Sequence, residues 1–342
     1  MKSPTKPQLD STGSRPSPPS AALQLPTVAL VGAPKCGTSS LFYWLTAHPQ
    51  VCGSSPKEPF YFMDERSPLM RPTANYNRHG YSRYTFFPPS QGPQAPHPTV
   101  FLEATTHSLY QQTALDAFAS WTPQPHIIVL LRQPSDRILS SFRYTQHNLA
   151  CLDPEVSFAD FVALLLEGQL EQIRDRFTSN TSFYVLSRDL HYSCYVNFLT
   201  RWAERFPPDR LHLLTFESLR ANPQSVVSHL AATLGLDPAF FEGFDFQSQN
   251  TTTAIAHSWL HRQCRRVAPM LPKGGMKSAL KSLYFTLQRH QTSFSGSDDD
   301  ALRRLDDYFE PWNRLLAEAF QMDLSEWSRV SPSIIRPTNL SQ

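Results

Sequence analysis

The sequence predicts an α/β fold in which a central, mainly parallel sheet is flanked by helices as three layers, and three stretches carry that prediction. Val28-Ala29-Leu30-Val31-Gly32 is an apolar, β-branched run that passes through a short loop into a helix-forming segment starting at Thr38. His126 to Leu131 contains five consecutive apolar residues and is followed by Pro134-Ser135-Asp136, a helix opening. Arg210 to Glu217 reads as a further strand, with a helix from Pro223 to Leu234 after it. Apolar strands that each feed a helix are the pattern of strands buried on both faces of a parallel sheet.

With 342 residues, 40% of them hydrophobic and 18% charged, the chain has enough apolar surface for a full core. The expected organisation is one domain over 26–330, between a Ser/Pro-rich disordered tail at 1–25 and a second tail at 331–342. A net charge of +2 gives no sign of a nucleic-acid partner, so any anion site must be local. No apolar run reaches the length of a bilayer, and no signal peptide or anchor is recognised, so the expectation is a soluble, cytoplasmic protein without a transmembrane segment. Five cysteines (Cys36, Cys52, Cys151, Cys194 and Cys264) are scattered without metal-ligand spacing, which predicts reduced thiols and no metal.

Taken in order, the first element with chemical content is the turn after the first strand, Ala33-Pro34-Lys35-Cys36-Gly37-Thr38-Ser39-Ser40-Leu41. The opening amides of a helix lack intrahelical partners and, with the helix dipole, favour an anion. Gly37 lets the backbone approach it, Thr38 and Ser39 add hydroxyl donors, and Lys35 adds a positive charge. The spacing of Gly32 and Gly37 matches the start of a Walker A loop, but Thr38 stands where that motif requires lysine, which disfavours an ordinary nucleoside triphosphatase.

The helix should end near His48-Pro49, and Ser54 to Phe62 then returns Glu58 towards the anion loop. From Asp64 to Pro98 no period is visible. Arg66, Arg71, Arg78, Arg83, Tyr76, Tyr81 and Tyr84 there fit either an acceptor-binding loop or an ordinary irregular insertion with a solvated basic face. Val100 to Thr106 is a strand ending in polar residues. Arg132 emerges at the carboxyl end of the His126–Leu131 strand, where open α/β sheets bind ligands. Its planar fork suits a phosphate.

Pro34 to Leu41 resembles the 5′-phosphosulfate loop of sulfotransferases that use 3′-phosphoadenosine 5′-phosphosulfate (PAPS), roughly Pro-Lys-x-Gly-Thr-[Ser/Thr]-x-Leu. Arg132, with Ser140 eight positions later, resembles the 3′-phosphate motif of the same family. Lys57-Glu58-Pro59 is similar to the element that carries the base in its carbohydrate (heparan/chondroitin-type) branch. The resemblance implies the P-loop-like sulfotransferase fold, with Lys35, Cys36, Gly37, Thr38, Ser39, Arg132 and Ser140 holding PAPS. It also implies that Lys35 and Glu58 are catalytic and that the acceptor is a glycan or a small hydroxylated molecule. The chain departs from some relatives at Phe60, where they have His, and at Ala104, where they have Lys. The alternatives are a P-loop kinase-like phosphotransferase and a catalytically silent nucleotide- or glycan-binding protein.

Further along, Phe158 to Gln172 and Asp189 to Phe206 are helical patterns, and Tyr195 in the second is a candidate nucleotide contact by the same resemblance. Lys273-Gly274-Gly275-Met276-Lys277 lies where some relatives close a basic loop over PAPS, and Asp298 to Phe320 is a last helical region, interrupted at Pro311.

Overall fold

The computed structural model describes residues 24–87, 98–247, 254–255, 289–290 and 296–327. Five strands form an all-parallel sheet: β1 (Val28–Gly32), β2 (Val51–Gly53), β3 (Val100–Glu103), β4 (His126–Leu131) and β5 (Leu211–Thr215), in the order β2-β3-β1-β4-β5. β1 is buried throughout and sits centrally, Val28 pairing with Leu102 on one side and His126 on the other. The apolar runs at Val28–Gly32 and His126–Leu131 are therefore interior strands, where both faces must be covered, while the third, β5, ends the strand order. Two-residue strands at Ala254–Ile255 and Arg289–His290 pair separately, antiparallel.

Helix α1 (Thr38–Thr46) returns the chain from β1 towards β2, ending just before His48-Pro49 as expected. Between β2 and β3 lies a short helix, α2 (Tyr76–His79), capped by the Asn75 side chain. α3 (Gln112–Ala119) leads to β4, and α4 (Pro134–Arg143) follows β4 with Pro134 at its start, where a missing N–H is tolerated. The core has two parts. One surrounds the sheet with Leu30, Leu41, Phe118, Ile128 and Trp202, and the other joins α4 to α5 (Phe158–Leu166) and the final helix, Gly296–Phe320, through Ile138, Phe161, Leu165 and Leu305.

Several expectations need correction. Tyr76, Tyr81 and Tyr84 are at most 5% exposed and pack with Phe62, Phe118 and Trp121, so they are core and not an acceptor surface. The helical stretch Asp189 to Phe206 is two helices, Asp189–Ser193 and Val196–Ala203, separated at Cys194. The stretch beginning at Phe158 breaks near Gly168, which adopts φ 68, before a 3₁₀ segment at Leu170–Arg176. Pro311 lies inside the final helix and does not end it. The Lys273 to Lys277 segment and the tails at 1–23 and 328–342 lie outside the described residues.

Candidate active site

The two loops singled out in the sequence leave the sheet side by side. Ala33 N donates to Leu130 O at 2.8 Å, which ties the end of β1 to the end of β4. From β1 the chain crosses to the β2 side, and from β4 it moves to β5, so the loops flank a topological switch point.

Gly37 is the N-cap of α1 with φ 88, and among the described residues no side chain caps this helix. A Cβ at Gly37 would lie 2.7 Å from Phe216 Cδ2, so both the backbone sign and the neighbouring ring require glycine. Lys35 is also left-handed, at φ 72, a cost that the loop imposes on a residue with a Cβ. Its ammonium lies 3.6 Å from the centre of the Tyr144 ring. Burial, and next the Arg132 charge, pull Lys35 down to about 8, while Cys36, Glu58 and Asp189 oppose them. Cys36 is fully buried and its thiol is pushed up to about 11, chiefly by that burial; its Sγ donates to Pro34 O at 3.7 Å and lies 3.9 Å from the Tyr195 hydroxyl, inside the loop. Thr38 is buried and Ser39 half-buried.

Across the switch point the Arg132 guanidinium stacks 4.7 Å from the centre of Phe216 and lies 3.9 Å from Asp136. Its Nε is buried with no hydrogen-bond partner among the described residues. The Arg132 carbonyl accepts from the Tyr195 hydroxyl at 2.9 Å, so Tyr195, itself buried, supports the loop from below. Ser140 is half-buried on α4. Beneath the loops Arg137 and Asp189 form an ion pair at 2.8 Å, with both side chains at most 1% exposed. Arg137 Nε also donates to Ser193 Oγ, and Asp189 holds the guanidinium firmly charged.

Glu58 follows β2. Lys57 Nζ lies 2.8 Å from Glu58 Oε1 and reaches Ala104 O at 3.4 Å. Thr106 Oγ1 approaches the same carboxylate oxygen at 3.5 Å, and the side chain of Glu58 is 29% exposed. The turn is held by a relay: Phe60 N donates to Thr105 Oγ1 at 3.2 Å, and the Thr105 hydroxyl and amide both donate to Glu103 Oε1. Burial pushes Glu103 up to about 7. Glu58 acts electrostatically on Lys35, so the fold brings together the lysine, arginine and glutamate that are far apart in the chain.

Three residues were not found by sequence reasoning. His107, on the 3₁₀ turn Thr106–Tyr110 after β3, is buried with neither ring nitrogen hydrogen-bonded among the described residues. Burial pulls it down to about 4, against the pull of Glu58, so it is neutral. Its one legible signal was its place among the polar residues just beyond a strand end. Phe216 and Tyr144 touch the site only through tertiary contact and carried no signal. Among the described residues there is no cluster of three or more His, Cys, Asp or Glu suited to a metal, and no helix long and apolar enough to cross a membrane.

The family description "Sulfotransferase domain" matches residues 25–268. The human bifunctional heparan sulfate N-deacetylase/N-sulfotransferase 3 is 26% identical over 223 residues, 64% of this chain and 23% of that enzyme. Mouse carbohydrate sulfotransferase 15 is 22% identical over 282 residues, 72% of this chain and 50% of its own length. The chain thus spans half or less of these relatives. A crystal structure of a sulfotransferase from Alicyclobacillus acidocaldarius superposes with a TM-score of 0.55 at 20% identity, covering 90% of this chain and all of that one, a likeness of fold.

Proposed function

The chain belongs to the sulfotransferase family, and from that premise we propose that it transfers a sulfuryl group from PAPS to an acceptor hydroxyl, probed first on carbohydrates. The observation that carries the reading is the pairing of the two anion-suited loops at one switch point, with Glu58 near enough to favour the charged form of Lys35. The donor fits on two counts: the buried Arg132 Nε has no partner among the described residues, and α1 begins at an uncapped glycine.

In this reading the start of α1, with Thr38 and Ser39, holds the 5′-phosphate, while Arg132 and Ser140 hold the 3′-phosphate. Glu58 takes the proton from the acceptor hydroxyl as its oxygen bonds to sulfur. The sulfur–oxygen bond to the 5′-phosphate breaks in line, and Lys35 stabilises the negative charge left on that oxygen. Lys57 steadies Glu58 through the 2.8 Å contact. Lys35, Arg132 and the helix start supply the positive charge, so this scheme requires no metal. A cytoplasmic location belongs to the same reading and rests on the scattered cysteines.

The test is Glu58→Gln. With labelled PAPS and a panel of glycan and small hydroxylated acceptors, turnover should fall about 10²- to 10⁴-fold while affinity for 3′-phosphoadenosine 5′-phosphate stays within twofold. Undiminished transfer in the Gln variant removes Glu58 from the base role. A kinase-like reading requires Mg²⁺-dependent transfer from ATP, which the same panel detects.

A further inference from the structure

Helix α4 does not stop at Arg143 but passes into a π-helical turn, Tyr144–Asn148. Such turns widen the helix locally and recur at functional sites. Tyr144 stands at the junction, its own N–H still bonded within α4, and its ring centre lies 3.6 Å from Lys35 Nζ. Tyr144 is 37% exposed, so solvent reaches its ring beside Lys35. Its backbone N–H donates to Ser140 O and Ser141 O, so α4 carries the ring one turn beyond Ser140.

We propose that Tyr144 is a positioning residue for Lys35, its ring holding the ammonium charged and aimed across the gap between the two loops. The proposal rests on the role given above to Lys35. An ammonium over a ring is attracted by the negative face of the π system, and the attraction grows as water is excluded. Lys35 needs such a partner. Its own burial and Arg132 both disfavour the charged form, against Cys36, Glu58 and Asp189, which favour it. The left-handed backbone at Lys35 fixes where its side chain starts, and the ring fixes where it ends. A neutral lysine cannot stabilise the charge that develops on the leaving oxygen, so the ring acts on rate through the protonation state of Lys35.

The experiment measures that state directly. Lys35 in the donor-free protein is labelled with an amine-reactive anhydride across pH 6 to about 11, and its peptide is quantified by mass spectrometry. Tyr144→Leu keeps an apolar cover but removes the ring, and Tyr144→Met serves as a second ring-free variant should Leu fail to fold. The expected result is a midpoint about 0.5 to 1.5 pH units lower in the ring-free variant, unchanged in Tyr144→Phe. The alkaline limb of kcat should move with it. Equal midpoints in the ring-free and Phe variants overturn the proposal. Lys35→Ala separates the two readings: retained turnover removes Lys35 from the mechanism, whereas lost turnover with an unshifted midpoint removes only Tyr144.

Discussion

Arg132 offers the sharpest test of the nucleotide site, because its expected partner can be removed from either side of the contact. The guanidinium carbon lies over the Phe216 ring, 4.7 Å from its centre, the side chain is 23% exposed, and its Nε is buried without a partner among the described residues. A hydrogen bond to a charged group contributes about 1.5–3 kcal/mol, and about 1.4 kcal/mol is a factor of ten in affinity. Arg132→Ala should therefore weaken binding of 3′-phosphoadenosine 5′-phosphate about ten- to hundredfold. Adenosine 5′-phosphate, which lacks the 3′ group, should bind the native protein more weakly by a similar factor and be nearly indifferent to the mutation. Arg132→Lys restores charge without the fork and should fall between the two. Titration calorimetry of both nucleotides against all three proteins closes the cycle. Equal losses for the two nucleotides, or none, would refute the assignment of Arg132 to the 3′-phosphate.

Three further outcomes follow from the described geometry. His107 is held near 4 in the fold and returns to about 6.5 when unfolded, so the unfolded chain binds the extra proton between these values. Its contribution is full above pH 6.5 and falls by about 3 kcal/mol as pH drops to 4, so His107→Phe should flatten the acid side of the urea-unfolding profile relative to the native protein; parallel profiles argue against it. Arg137→Ala strands Asp189 in the interior and should cost about 3–5 kcal/mol, read from the urea midpoint, with a loss below 1 kcal/mol contradicting the buried pair. Gly37→Ala should lose about 1–2 kcal/mol to its left-handed backbone alone, with more from the approach to Phe216, and an unchanged midpoint would show that the loop relaxes freely.

The parts legible in the sequence were those set by local order. β1 with its loop, and β4 with Arg132, are each a strand, a turn and a helix start within some fifteen residues, so composition and spacing sufficed to place them. Glu58 was reached by resemblance, and its supporting relay through Thr105 and Glu103 spans a strand that sequence order does not bring near. The aromatic and basic residues of 64–87 misled for a physical reason. Without a period to assign faces, Tyr76, Tyr81 and Tyr84 looked available, yet burying their rings against Phe62 and Trp121 stabilises the fold more than leaving them exposed. Tyr144 was illegible because its contact joins the end of α4 to the loop after β1, elements that lie about a hundred residues apart in the chain.

Phe216 belongs to neither motif. It starts the helix after β5, yet one ring blocks any side chain at Gly37 and also carries the Arg132 guanidinium. The ring therefore stands between the Gly37 backbone and the Arg132 guanidinium, and under the proposed function its thickness is a dimension of the site. A ligand that engages both loops must present its anionic groups at that separation. Shaving the spacer to Leu or Val would loosen the caliper, and selectivity would pass from the length of the ligand to its charge alone.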